Sequence, residues 1–209
     1  MKILKLYPDS INEKHIREAA DALEDGKIII YPTDSVYALG CDALNGKAVE
    51  LLCRIKGLNP DKNYLSIVCS DLSQASEYAK IDNRAFKILK AHLPGPFTFI
   101  LPAATTLPKI FKGRKSVGLR IPNNPIATEL AGALGHPILT TSVPFDPEDP
   151  DSVEEACEPE SIAMSFASTA QVCLAIDGGR GGNVPSTVVD IIDSSDPQIL
   201  RQGTAQFYN

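Results

Sequence analysis

With 209 residues, 44% hydrophobic and 22% charged, the chain has enough apolar side chain for a sizeable core, and wholesale disorder is excluded. A net charge of -6 and a pI near 5.1 argue against a surface made throughout for nucleic acid, because phosphate binding needs a basic face. The 5 cysteines (Cys41, Cys53, Cys69, Cys157, Cys173) are scattered without a CxxC spacing, so they read as thiols in a reducing cytoplasm rather than a disulfide framework.

In chain order, Lys2 to Tyr7 alternates well enough for an opening strand. Lys5 and Pro8 break its apolar run, so it is no signal peptide, and no stretch approaches the roughly 20 apolar residues of a membrane span. A cytoplasmic protein with no membrane partner is expected. Asp9 and Ser10 offer an N-cap for a helix that turns Ile11, Ile16, Ala19, Ala20 and Leu23 inward and stops near Gly26. Ile28 to Tyr31 is a continuous apolar run bounded by Gly26 and Pro32, the pattern of a strand buried on both faces. Pro32 cannot extend a ladder, so Thr33, Asp34 and Ser35 fall at the carboxyl end of that strand, where open α/β sheets hold ligands.

Lys47 to Lys56 reads as a helix with Ala48, Leu51, Leu52 and Ile55 inward, followed by a breaker-rich loop over residues 56–63. Tyr64 to Cys69 reads as a strand, Asp71 or Ser70 caps a helix to Tyr78, and Asn83 caps another that buries Phe86, Ile88, Leu89 and Leu93. Pro94-Gly95-Pro96 breaks the chain before a strand from Phe97 to Leu101. Lys109 to Lys115 is the densest basic cluster and reads as a solvated loop. Val117 to Ile121 is a strand with Arg120 inside it, and a helix follows from Pro122 or Pro125 to Leu134. Pro137 to Thr141 is strand-like. Asp146 to Glu160 carries many acids and no Lys or Arg, which predicts a mobile surface loop or a poorly packed helix. A strand from Val172 to Ile176, the flexible turn GGRGGN (Gly178 to Asn183) and closing strands at Ser186 to Ile192 and Gln198 to Arg201 complete a twisted mixed sheet with packed helices, taken as one domain over residues 1–209.

Nucleophile and base candidates are poor. His15, His92 and His136 share no motif with a Ser, a Cys or a second His, and no metal-binding spacing occurs. The GGRGGN run lacks the GK[ST] of a P-loop and opens no helix. What remains is a set of polar and cationic residues at strand ends and loops: Thr33, Ser35, Lys56, Asn63, Ser116, Arg120, Thr140, Ser142, Ser186, Thr187 and Arg201. An Arg inside the apolar VGLRIP strand needs a counter-charge, either an anionic ligand or an internal carboxylate such as Asp34 or Asp190.

The blocks IIIYPTDSVYALGC, RIKG, LPGPFTFIL, VGLRIPNNPIA, ILTTS, IDGG, PSTVVD and ILRQGT, in this order, resemble the YrdC/YciO family of threonylcarbamoyl-AMP synthase-like proteins, nearer its YciO branch. The resemblance implies a twisted mixed sheet with a concave basic cavity, and a synthase joining L-threonine, bicarbonate and ATP, with Mg2+ brought by the ATP, in tRNA t6A modification. It implies that Lys56 and Arg120 are catalytic, that Thr33, Ser35, Arg120, Thr140 and Ser186 hold threonine, and that Lys56, Asn63, Ser116, Ser142 and Arg201 hold the nucleotide. No metal ligand from the protein is implied. The chain departs from the synthase pattern in three places: Lys-x-Arg reads Lys56-Gly57-Leu58, Ser-x-Asn reads Ser142-Val143-Pro144, and a histidine of some synthases is replaced near Val68. These departures leave open a branch that binds double-stranded RNA or tRNA without synthesis, and a third reading in which threonylcarbamoyl groups are processed in reverse.

Overall fold

The computed structural model describes residues 1–59, 62–109 and 115–208. Its 10 strands form one mixed sheet in the order β1-β8-β2-β3-β7-β4-β6-β5-β9-β10. The strands are β1 (Lys2–Lys5), β2 (Ile28–Tyr31), β3 (Ala38–Asp42), β4 (Ser66–Val68), β5 (Phe97–Pro102), β6 (Ser116–Arg120), β7 (Ile138–Ser142), β8 (Val172–Asp177), β9 (Thr187–Asp190) and β10 (Gln198–Arg201). Parallel pairs join β1 to β8, β2 to β8, β4 to β6 and β5 to β9, and the remaining pairs are antiparallel.

The helices are α1 (Glu13–Glu24), α2 (Gly46–Lys56), α3 (Leu72–Tyr78), α4 (Asn83–His92), α5 (Pro125–Leu134), α6 (Pro150–Glu155) and α7 (Pro159–Ser165). Each of the first five begins at an Asn or Asp whose side chain accepts amide hydrogens of the first turn, which satisfies donors the helix itself cannot. α1 starts at Asn12, not at Asp9 or Ser10, because Ser10 is held in a bridge to Tyr7. Gly57 and Gly135 close α2 and α5 with φ of 68° and 79°, a conformation that favours glycine.

Two cores flank the sheet. One face packs on α2, α3, α4 and α7 through residues such as Leu52, Tyr78, Leu89 and Ile162. The other packs on α1 and α5 through Ala19, Leu23, Leu130 and Leu134. β2 is buried along its whole length, as expected of a strand covered on both faces.

Several expectations need correction. β3 escaped notice because Gly40 interrupts its apolar run; the glycine is required there, since a Cβ would stand 2.7 Å from the Tyr31 ring. In α2 the buried stripe is Ala48, Val49, Leu52 and Cys53, with Leu51 and Ile55 only partly covered. In α4 Phe86 is 46% exposed and Ala85 takes its place inward. Of the two expectations for the acidic segment the structure has the helix and not the loop: α6 buries none of its residues, whereas Ala156 and Cys157 after it and Ile162 and Ala163 in α7 are buried. The missing cation comes from elsewhere in the chain: Arg180 of GGRGGN pairs with Glu154 and Glu158 at 2.5 Å. That run is accordingly tied down by hydrogen bonds and not a free turn, although most of it is exposed. Of the predicted basic cluster, Lys112 and Arg114 lie outside the described residues.

Candidate functional site

Side-chain alternation builds the site. Along β7, Ile138 enters the α1/α5 core while Thr140 and Ser142 line a cleft, and along β4 the same holds for Val68 and Ser66. The cleft therefore occupies the α1/α5 face of the sheet where those helices stop. Along β5, Thr98 and Ile100 face the cleft and Phe97, Phe99 and Leu101 face the opposite core. Leu52, Leu58 and Leu65 close one side of the space.

Arg120 sits at the end of β6 and is 7% exposed. Its Nη2 donates to Asp34 Oδ1 and to Ser35 Oγ, each at 3.0 Å, and its buried Nε has no hydrogen-bond partner. Asp34, rather than Asp190, is thus the internal counter-charge, and its second oxygen accepts from Asn123 N–H at 2.7 Å. Asp190 instead accepts from the Ile192 amide. One guanidinium therefore meets a carboxylate on one side and lines the cleft on the other.

Arg201 reaches the cleft through an irregularity of pairing. Ile199 aligns with Val189 but Arg201 aligns with Val188, so Leu200 is an extra residue and the bulge turns Arg201 onto the face that carries Val188. Its Nη2 and Nε donate to the Ser186 carbonyl at 2.8 and 3.2 Å. Burial, and then the charge of Arg120, hold its pKa below the ordinary arginine value. The two arginines are the charged residues of the lining among the described residues, and no carboxylate lines it.

Hydroxyls fill the wall between them. Tyr31 OH donates to Thr140 Oγ1 at 2.8 Å from below, which leaves the Thr140 hydroxyl hydrogen free to point into the cleft. Burial pushes the Tyr31 pKa up to about 12, so the phenol stays a donor. Ser186 and Thr98 hydroxyls meet at 2.9 Å.

Of the residues singled out from sequence, Asn63, Arg120, Thr140, Ser142, Ser186 and Arg201 line the one cleft. Thr33 and Ser35 do not; they stand behind Arg120, with Thr33 Oγ1 donating to Val36 O at 2.7 Å and Ser35 Oγ accepting from the guanidinium. Lys56 ends α2 outside the lining, and burial lowers its pKa. Ser116 is buried at the far end of β6, paired with Pro102, and Thr187 Oγ1 turns to the Ala205 carbonyl. Leu58 lines the cleft, whereas Pro144 lines a neighbouring hollow with Ala156 and Ile162, and Val68 is fully buried. Thr98 and Ser66 were missed, although each is the lone hydroxyl in an apolar strand, which is a readable signal. None of the histidines lines the cleft: His15 Nδ1 sits 3.2 Å from Lys5 O, His92 stacks on Phe207, and His136 lies beside Asp42.

A family model described as Sua5_yciO_yrdC, Telomere recombination, matches residues 21–203. An uncharacterized protein of Escherichia coli strain K12, YciO, is 38% identical over 205 residues, covering 95% of this chain and 93% of that protein. Its crystal structure superimposes with a TM-score of 0.86, covering 99% of this chain and 98% of that one. A threonylcarbamoyl-AMP synthase of Hydrogenovibrio crunogenus is 35% identical over 68% of this chain and 78% of its own. P. abyssi Sua5, solved in complex with L-threonine, is 31% identical with a TM-score of 0.83, over 97% of this chain and 58% of that longer one. With a family match over most of its length and a superposition on a family member over nearly all of it, the chain belongs to the Sua5/YciO/YrdC family.

Proposed function

We propose that the cleft takes L-threonine and ATP and that the chain forms threonylcarbamoyl-AMP from them with bicarbonate. The observation that carries this reading is the nearly buried Arg120 guanidinium, which lines a hydroxyl-walled space shared with Arg201. A largely desolvated guanidinium suits a carboxylate, and a second cation in the same cleft suits a phosphate chain. The names of the relatives support the same substrates: one is a threonylcarbamoyl-AMP synthase, another was solved with L-threonine.

The chemistry asks little proton transfer of the protein. The threonine amine captures carbon dioxide as a carbamate, a carbamate oxygen attacks the α-phosphorus, and pyrophosphate leaves with the bridging electron pair. Alignment and charge stabilisation supply the rate. Arg120 would hold the amino-acid carboxylate, Thr140 and Ser186 would orient the amino acid, and Arg201 with Ser142 and Asn63 would hold phosphates. The lining offers hydroxyl and amide oxygens but no carboxylate among the described residues, which suits a magnesium ion carried by the triphosphate rather than one held by protein ligands.

Leu58 stands in the lining where the synthase pattern has an arginine, so slow turnover is expected; the loss of one phosphate-directed guanidinium costs roughly tens to thousands in rate. The test is pyrophosphate release. It should require both L-threonine and bicarbonate, vanish in Arg120→Ala and rise in Leu58→Arg; release that ignores threonine, or none above background, overturns the proposal.

A further inference from the structure

The Gly178 to Asn183 run is far from a free turn, and its one charged side chain is tied to the acidic helices. Arg180 spans Glu154 with both amino groups, at 2.5 and 2.6 Å, and reaches Glu158 at 2.5 Å. The next two residues carry the connection onward. Gly181 N–H donates to Cys157 O at 2.8 Å and Gly182 N–H to Ser35 O at 2.9 Å. Both contacts need glycine, because a Cβ would stand 2.6 Å from the Tyr37 ring at Gly181 and 2.3 Å from Ser35 O at Gly182. On its other side Ser35 accepts at its Oγ from Arg120 Nη2. A continuous set of bonds therefore runs from α6 and α7 through Arg180, Gly182 and Ser35 to the guanidinium in the cleft.

We infer that Arg180, clamped by Glu154 and Glu158, is a positioning residue that fixes the direction of the Arg120 side chain through Ser35. This rests on the cleft being the anion site proposed above and goes one step deeper into how that site is set. Glycine-rich backbone is intrinsically permissive, so the close approach to Ser35 needs an outside anchor. The Tyr37 hydroxyl holds the start of the run, accepting from Gly178 N–H and donating to Gly179 O, while Arg180 holds its middle. Because the ion pair is half exposed, its contribution to stability is small, and its effect falls on geometry. A role in mere folding would show the opposite pattern.

The test uses the NMR signal of the Arg120 Nε–H, assigned by its loss in Arg120→Lys, in the full chain without ligand. Arg180→Met should displace or broaden that signal with little change in thermal midpoint, and Ser35→Ala should do so as well. In the Ser35→Ala background Arg180→Met should add almost nothing, since coupled residues are non-additive. Arg180→Lys, which keeps the charge but not the fork, should move the signal in the same direction and by less, and it serves if the Met variant does not fold. An Arg120 signal unmoved by either variant, or shifts that simply add, overturns the inference. L-threonine titration then separates the two readings. With a wild type that binds, Arg180→Met should raise the Kd about tenfold. A wild type that takes up no threonine sinks the proposed substrate, while the Arg120 signal still decides the clamp.

Discussion

At the scale of the residue, the buried Arg120–Asp34 pair sets the character of the site. Both side chains are under a tenth exposed, and the carboxylate is fully engaged, by Arg120 on one oxygen and by the Asn123 amide on the other. A buried pair adds little net stability against an apolar substitute, but removing one partner strands the other charge. Asp34→Asn keeps the shape and a weaker acceptor, so it should destabilise the fold by about 2–3 kcal/mol. Urea unfolding with an unchanged slope reads this, and a loss below about 0.5 kcal/mol would show that the pair does not hold the loop. The sequence made Arg120 conspicuous because an arginine in an apolar strand must find a counter-charge. Which of Asp34 and Asp190 supplies it depended on the loop after β2 crossing to the end of β6, a contact between residues 86 apart in the chain.

At the scale of the element, strand period and bulge decide which side chains meet. β6 carries Arg120 and Gly118 on one face, and Gly118, itself outside the lining, is the floor beneath two residues that are in it: a Cβ there would stand 2.5 Å from Ser66 Oγ and 3.1 Å from Thr98 Cγ2. Gly118→Ala should therefore turn the Ser66 hydroxyl away and weaken L-threonine binding in calorimetry, at a stability cost of about 1–3 kcal/mol. An unchanged affinity would place the ligand away from this floor. The bulge in β10 illustrates what sequence reading lacks. Gln198 to Arg201 was legible as a strand to the residue, yet strict alternation with β9 would have aimed Leu200 at the cleft and Arg201 away from it. The same holds for α6 and α7, whose acids read as a solvated segment until Arg180 was found opposite them.

At the scale of the whole molecule, burial on both faces of the sheet leaves a signature in pH. Tyr31 is neutral in the fold up to about 12 against 10.0 for the free side chain, because burial disfavours its anion. Tyr37, Cys41 and Cys69 are shifted upward for the same reason. A raised pKa on a group that becomes an anion makes the folded state bind protons more tightly than the unfolded one. The Tyr31 contribution is thus complete below pH 10, falls as pH rises and is lost by about pH 12. Stability measured from pH 8 to 12 should decline, and Tyr31→Phe should decline less steeply; parallel curves would contradict the assignment. Among the described residues no helix is long and apolar enough to cross a membrane.

Read by itself, the sequence determined most of the strands and helices (not β3, nor the pair α6 and α7), the aliphatic core and the motif blocks that mark the family, because these depend on local period, caps and breakers. It also made Arg120, Arg201, Thr140 and Ser186 stand out as polar groups beside apolar strands. Only the tertiary structure decided that those four share a cleft while Thr33, Ser35, Lys56 and Ser116 do not line it. The reason is geometric: a side chain's neighbours across a sheet are set by strand order, register and a single bulge, and none of these is written in the spacing along one strand.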